Sequence, residues 1–219
     1  MIEVLLWLFF LLVIEAQIIY NCINRTSTNQ PKELLMLAPL FTVKTIKNKG
    51  QGLFAKAFIP RGTIVFFECH NCKATSKASF QKLSPGQKEK LLFHAYTVKD
   101  GSVVMPCGDS KYMNHCCDSN ILDTGKGYDI VVRDIQKGQE ATYDYRVFYD
   151  QDWGFQCACG SPDCCGTFRC QHPLPKGLRA LWDKKIKPAI KLINKVSQPL
   201  KNELILHNSK HKRLFSRRS

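Results

Sequence analysis

Three short signals between Lys111 and Gly166 hold the residues that could do chemistry. They are YMNHCCDSN (Tyr112–Asn120), GQEATYDY (Gly138–Tyr145) and FQCACGSPDCCG (Phe155–Gly166). In the last, Cys157, Cys159 and Cys164 have the spacing C-x-C-x4-C. Closely spaced thiolates can converge on one metal ion, and a tetrahedral zinc site needs a fourth ligand. Cys117 is the best candidate, beside Asn114 and His115 and forty residues upstream of Cys157. Such a site would pin the loop after Gly154 onto the Asn-His segment and close a pocket between them, making metal binding part of that wall's folding energy. Cys116 and Cys165 could substitute as ligands, but packing or free thiols are expected of them. The separate Cys69-x2-Cys72 pair reads as buried free cysteine, and His70 is not expected to be a ligand. Tyr143 and Tyr145 lie on one side of an extended run and, taken alone, would be ordinary half-buried aromatics.

These residues need elements to position them. Phe41–Ile46, Leu53–Phe58, Thr63–Cys69, Val103–Met105 and Tyr128–Arg133 read as strands, with turns at Lys47–Gly52, Pro60–Gly62, Lys99–Ser102 and Asp134–Gln139. Asn71–Lys82 reads as irregular. Ser84-Pro85-Gly86-Gln87 has the marks of a helix start, with Leu91, Leu92, Ala95 and Tyr96 as its apolar face. Many short strands and one modest helix make the body mostly β, without the alternating long helices of a doubly wound sheet. Gly50-Gln51-Gly52 lacks the third glycine and opening helix of a dinucleotide fingerprint. In the tail, Leu178, Leu181, Trp182 and Ile186 share a helical face continued by Ala189, Ile190 and Ile193. Pro188 should kink this helix or begin a second one.

The 219 residues fit one domain with an extension at each end: residues 1–40, 41–150, 151–170 and 171–219 form the successive sections. Hydrophobic residues are 44% of the chain, enough for a core. The net charge of +14 is uneven. Residues 171–219 hold 13 Lys/Arg against two acids, which leaves 19 against 16 for the first 170. A tail of +11 favours nucleic acid, acidic protein or anionic lipid. Its last residues, KHKRLFSRRS, suit nuclear import, nucleic-acid contact or simple solvation. Eleven cysteines, clustered rather than spread, indicate reduced thiols and an intracellular working site. Val4–Ile14 is eleven apolar residues, too short to span a bilayer and without a basic leading region. It stands open between a helix docked on the domain or on a second copy, giving a homodimer, a membrane-associated or secretion-related segment, and a start at Met36.

Together, KNKGQGLFA (Lys47–Ala55) and the three blocks above resemble the SET-domain protein lysine methyltransferases with a post-SET zinc motif, in that family's order over residues 41–170. The resemblance implies a fold of several small sheets with a pseudoknot, a short inserted helix and a zinc loop, to which the tail adds a helical extension. It implies that Gly50, Gly52, Leu53 and Phe54 line S-adenosylmethionine, mainly through backbone atoms. Asn114 and His115 match the pair that hydrogen-bonds this cofactor, and Tyr145 matches the catalytic tyrosine beside the methyl group. Cys117, Cys157, Cys159 and Cys164 match the post-SET zinc ligands. Tyr143 would face the lysine channel, where its hydroxyl argues for mono- or dimethylation. Trp153 and Phe155 could flank adenine or substrate, or pack in the core. Two positions depart from the pattern: Cys116-Cys117-Asp118-Ser119-Asn120 lacks its proline, and Cys165 replaces its arginine.

The expected reaction is transfer of methyl from a sulfonium to a neutral lysine amine. Lysine has a reference pKa of about 10.4, and an apolar channel beside a sulfonium favours its neutral form. Alignment and exclusion of water then matter more than a general base. A basic tail would repel a free histone but be drawn to one packaged on DNA, so a histone or histone-like protein in contact with DNA or a nucleosome is the expected partner. The compact body and hydrophobic start resemble the small SET proteins of intracellular bacteria, which implies secretion into a host cell and entry to its nucleus as one destination. The alternatives are a catalytically silent, zinc-stapled chromatin-binding module and a methyltransferase acting on a non-histone protein.

Overall fold

The computed structural model describes residues 36–47, 50–67, 72–149, 154–170 and 174–202, all in the unit Leu35–Ser219. Val4–Ile14, Cys69, His70, Trp153 and the terminal basic cluster lie outside the described residues. No helix among those described is long and apolar enough to cross a membrane.

In chain order the elements begin with β1 (Phe41–Ile46), β2 (Gly50–Ala55), β3 (Ile64–Phe67), β4 (Ala74–Thr75), α1 (Lys77–Gln81), α2 (Pro85–Leu92), β5 (Tyr96–Thr97) and β6 (Val103–Val104). There follow β7 (Asn114–His115), β8 (Ile121–Asp123), β9 (Tyr128–Val131), β10 (Glu140–Tyr143), β11 (Gly154–Gln156), β12 (Thr167–Arg169) and α3 (Lys176–Ile190). The described residues are mostly β, in three sheets. The largest runs β1-β2-β10-β8-β9-β3, with β7 also paired to β10. A small β4-β6-β5 sheet adjoins α1 and α2 in sequence, and β11 and β12 form a ribbon.

Hydrophobic alternation explains the large sheet. Leu53, Val65, Ile121, Val131 and Ala141 lie in the main core with Ile59 and Ile135, and the register of β3 shifts between Ile64 and Phe66, so that Ile64 joins the same core. Leu122, Ile130 and Val132 point to the other side, where Trp182, Ile186 and Ala189 of α3 cover them. Strands β8 and β9 are therefore buried on both faces, at Ile121 and Leu122 and at Ile130 and Val131. Full burial of a side chain such as Ile186 stabilises by about 2 kcal/mol.

The basic tail is thus built into the domain at its start. Gly62 has φ +95°, and a Cβ there would meet Leu192 Cβ at 2.6 Å. The Gln198 carboxamide donates to the carbonyls of Gly62 and Ile193, both at 2.9 Å, and accepts from the Ile64 N–H at 2.9 Å. At the other end, Ala38 N–H donates to the Val65 carbonyl at 2.8 Å, so residues just before β1 already pack on β3.

Several expectations are corrected. Strand β2 begins at Gly50 rather than Leu53, and the stretch read as irregular contains β4 and α1. Ser76 caps α1 by accepting from Ser79 N–H at 3.2 Å. Helix α2 has the expected capping box at Ser84 and Gln87, yet buries none of its residues, and Tyr96 begins β5 instead of extending it. Leu181 is 56% exposed, because at ~100° per residue it lies a full step round the helix from buried Trp182. Pro188 does not begin a second helix; it lies inside α3, in its last turn.

Candidate active site

Strand β10 delivers the site. On one side it pairs antiparallel with β2, placing Ala141 opposite Leu53. It also runs parallel to β7, with Thr142 opposite Asn114 and Tyr143 opposite His115, and to β8 at Ile121. Between β7 and β8, buried Asn120 acts as a further rung. Its side chain accepts from Thr142 N–H at 2.9 Å and donates to the Glu140 carbonyl at 2.8 Å. The two segments that the resemblance joins as a pseudoknot are locked together by these bonds. The turn lacking the family's proline is held instead by Asp118, which accepts from Arg133 at 2.6 Å and Lys185 at 2.5 Å.

Beyond β10 the chain enters a 3-10 turn, Tyr145–Val147. Phe148 ends this turn and gathers three rings. Tyr96 stacks on it at 4.5 Å, while Tyr145 and Tyr143 lie 5.5 and 5.9 Å away. The Tyr145 hydroxyl donates to the Met113 carbonyl at 2.5 Å, and the Tyr143 hydroxyl donates to Asp129 at 3.3 Å. Burial, with Glu140 adding to it, pushes the Tyr145 phenol above its ordinary value. Burial, then Asp129 and Asp123, do the same to Tyr143. Both hydroxyls are neutral near pH 7, and each has its hydrogen committed.

The Asn114 side-chain NH2 donates to Glu140 Oε1 at 2.8 Å and to the Gln51 carbonyl at 3.0 Å. This brings β7 against the glycine stretch. A Cβ on Gly52 would meet Ile46 Cδ1 at 2.7 Å, Glu140 Oε1 at 2.8 Å and Asn114 Nδ2 at 3.0 Å, while one on Gly50 would meet nothing within 4 Å. Gly50 and Gln51 are exposed, Leu53 lies in the core and Phe54 is half-buried. Strand β7 pairs only with β10 among the described residues, so its other edge is open beside Gln51. An open strand edge next to a glycine backbone with room above it fits a cofactor held by main-chain groups.

The ribbon of β11 and β12 frames the cysteine loop. Phe155 stacks on its cross-strand partner Phe168 at 4.8 Å, and both rings meet His115 edge-on, at 5.8 and 4.9 Å. Phe155 thus packs against the Asn-His segment. Gly154 is required there, because a Cβ would sit 2.6 Å from the Phe168 carbonyl oxygen. The sulfurs of Cys117, Cys157, Cys159 and Cys164 all lie within 4.8 Å of one another, with Cys117 and Cys157 at 3.9 Å. Tetrahedral zinc with bonds of about 2.3 Å needs sulfurs about 3.8 Å apart, so this set fits the metal. Burial opposes ionisation of Cys159, but main-chain donors at Cys117 and Ser161 and neighbouring thiols outweigh it and bring the thiol to about 6. A second group of four overlaps the first: His115, Cys117, Cys157 and Cys165. Cys165 Sγ is 3.4 Å from Cys117 Sγ, closer than the packing role expected of it requires.

One residue escaped the sequence reading. Asp144, between the two tyrosines, is 1% exposed and accepts from Arg146 Nε at 2.8 Å, Arg146 Nη2 at 2.6 Å and Trp182 Nε1 at 3.1 Å. Arg146 also donates to the Cys117 carbonyl at 3.1 Å. The available signal was strand alternation, which turns Asp144 away from the tyrosine side.

Comparison with known proteins agrees with this geometry. Residues 50–146 match the SET domain family. An H3 lysine-4 specific histone-lysine N-methyltransferase of Saccharomyces cerevisiae is 38% identical over 68 residues, covering 27% of this chain and 6% of that protein. The histone-lysine N-methyltransferase set1 of Dictyostelium discoideum is 40% identical over 62 residues, 25% of this chain and 4% of its own. An H3 lysine-36 specific enzyme of Mycosarcoma maydis is 34% identical over 67 residues, 27% and 7% respectively. The matched stretch spans less than a tenth of the length of each of these relatives.

Proposed function

Residues 50–146 are a SET domain, and from that premise we propose that the protein transfers a methyl group from S-adenosylmethionine to a lysine of a histone or histone-like protein. The cofactor supplies an electrophilic methyl on a sulfonium. Gly50, Gln51 and the open edge of β7 would hold it through main-chain groups, with Gly52 allowing β7 to approach. Tyr96, Tyr143, Tyr145 and Phe148 would wall the lysine channel and exclude water, which favours the neutral amine.

The observation that carries this reading is the Tyr145 hydroxyl. Its hydrogen is committed to the Met113 carbonyl, so its lone pairs are what it offers the channel. A neutral phenol with acceptor capacity facing an amine orients that amine without removing its proton. Its contribution is alignment, the effect such a bimolecular transfer needs most. The zinc loop, held by Cys117, Cys157, Cys159 and Cys164, would close the wall beside it.

The names of the relatives support histone as the substrate class, and the basic α3 and tail favour histone bound to nucleic acid. The test is radiolabelled S-adenosylmethionine with free histones, nucleosomes and a bacterial histone-like protein, with Tyr145→Phe beside the wild type. Label in lysine from the wild type and at least about tenfold less from the variant is expected. Cofactor binding and bound zinc without transfer to any of the three would overturn the reading in favour of a binding module or a different protein substrate.

A further inference from the structure

The His115 ring touches both halves of the site. Its Nδ1 is 3.1 Å from the Tyr145 main-chain nitrogen, and its Nε2 is 3.4 Å from the Cys117 sulfur. A neutral imidazole has one donor and one acceptor, and the tautomer follows from the partners. A main-chain N–H can only donate, so at 3.1 Å Nδ1 presents its lone pair to Tyr145; the nearest carboxylate, Asp144 Oδ1, stands 3.8 Å from Nδ1, beyond hydrogen-bonding distance. The proton then resides on Nε2, pointing at Cys117. The ring is 2% exposed at its side chain and is packed between Phe155, Phe168 and Tyr145, so water has little access to replace either partner.

This decides between the two overlapping groups of ligands. Coordination by His115 with Cys117, Cys157 and Cys165 would require a lone pair on Nε2, and the Tyr145 N–H would then face an N–H at Nδ1. The four-cysteine group makes no such demand. Instead it gains from His115 an N–H directed at one of its thiolates, and a donor of that kind offsets the excess negative charge that four thiolates place around a divalent ion.

We propose that His115 is a positioning residue that ties Tyr145 to the metal loop, accepting from the Tyr145 main chain at Nδ1 and donating to the Cys117 sulfur from Nε2, without itself binding metal. Movement of the loop is thereby passed through one rigid ring to the backbone of Tyr145. The importance of this for turnover rests on the methyltransferase reading; the tautomer and the tie to the metal do not.

The test uses the full-length zinc-loaded protein labelled with 15N-histidine. Long-range 1H–15N spectra separate the two tautomers from each other and from the protonated ring, with His115→Gln assigning its signals among the six histidines. The expected result is a neutral ring with its proton on Nε2. Cobalt substitution gives a second readout: His115→Leu should retain one ion per chain but shift the thiolate-to-cobalt absorption, and His115→Gln, which keeps a donor, should restore most of it. A proton on Nδ1 with Nε2 bound to metal, or identical cobalt spectra for wild type and the leucine variant, would overturn the proposal. If the spectra are as expected but no methyl is transferred to any protein, the proposed reaction fails while the tie between ring and metal stands.

Discussion

Trp182 of α3 donates its indole N–H to buried Asp144 at 3.1 Å, one residue before Tyr145. Helix α3 is therefore bonded directly to the turn that carries the candidate catalytic tyrosine. Trp182→Phe keeps most of the packing and removes the bond, and should lower stability by about 1–3 kcal/mol, since the acceptor is charged. Asp144→Ala should be worse, about 3–5 kcal/mol, because it leaves the Arg146 guanidinium half-buried without its carboxylate. Urea unfolding of the two variants gives the order; equal losses would contradict it.

Metal content should follow the four-cysteine group. One zinc per chain is expected, with loss of binding on Cys159→Ser or Cys164→Ser and retention on Cys165→Ser. Atomic absorption after extensive dialysis measures this. Retention by Cys159→Ser together with loss by Cys165→Ser would assign the other group.

Gly52 and Gly50 should respond differently to alanine. At Gly52 a Cβ collides with Ile46, Glu140 and Asn114, so Gly52→Ala should displace the Asn114 amide and weaken S-adenosylmethionine binding by at least about tenfold. At Gly50 there is open space but φ is +84°, so Gly50→Ala should cost about 1 kcal/mol in strain and alter binding less. Calorimetric titration of both variants with cofactor makes the comparison.

Tyr143→Phe removes a buried hydroxyl that donates to Asp129. Mass spectrometry of the modified lysine should show more dimethyl or trimethyl product, with the first transfer changed by less than about tenfold. An unchanged product distribution would separate Tyr143 from the lysine channel.

The same residue predicts alkaline behaviour. Its folded phenol ionises above the ordinary value near 10 because of burial and then Asp129 and Asp123. Above that pH the unfolded chain loses a proton that the folded chain keeps, so stability is full below about pH 10 and falls as pH rises further. Tyr143→Phe should flatten that decline, measured by urea midpoints between about pH 9 and 11.

Local chemistry made much of this fold legible. The Ser84 capping box, the strand at Phe41–Ile46 and the convergence of Cys117 on Cys157 follow from residues a few positions apart or from ligand spacing. What was hidden depends on tertiary partners. Asp144 looks like one more acid until Arg146 and Trp182 close on it. The exposure of Leu181 depends on which arc of α3 meets Leu122 and Ile130. The same is true of His115, whose tautomer is set by a backbone N–H thirty residues later.

The Gln198 carboxamide closes onto Gly62 and Ile64 across separations of 136 and 134 residues. During synthesis, the strand that begins at Ile64 therefore waits for 134 further residues before its first N–H finds this acceptor. A nascent polypeptide halted ahead of Gln198 would carry every residue of the proposed chemistry and still lack the clasp on its first sheet. Emergence of the segment around Gln198 from the ribosome is thus a condition for completing this sheet, a late residue acting on a strand made among the earliest.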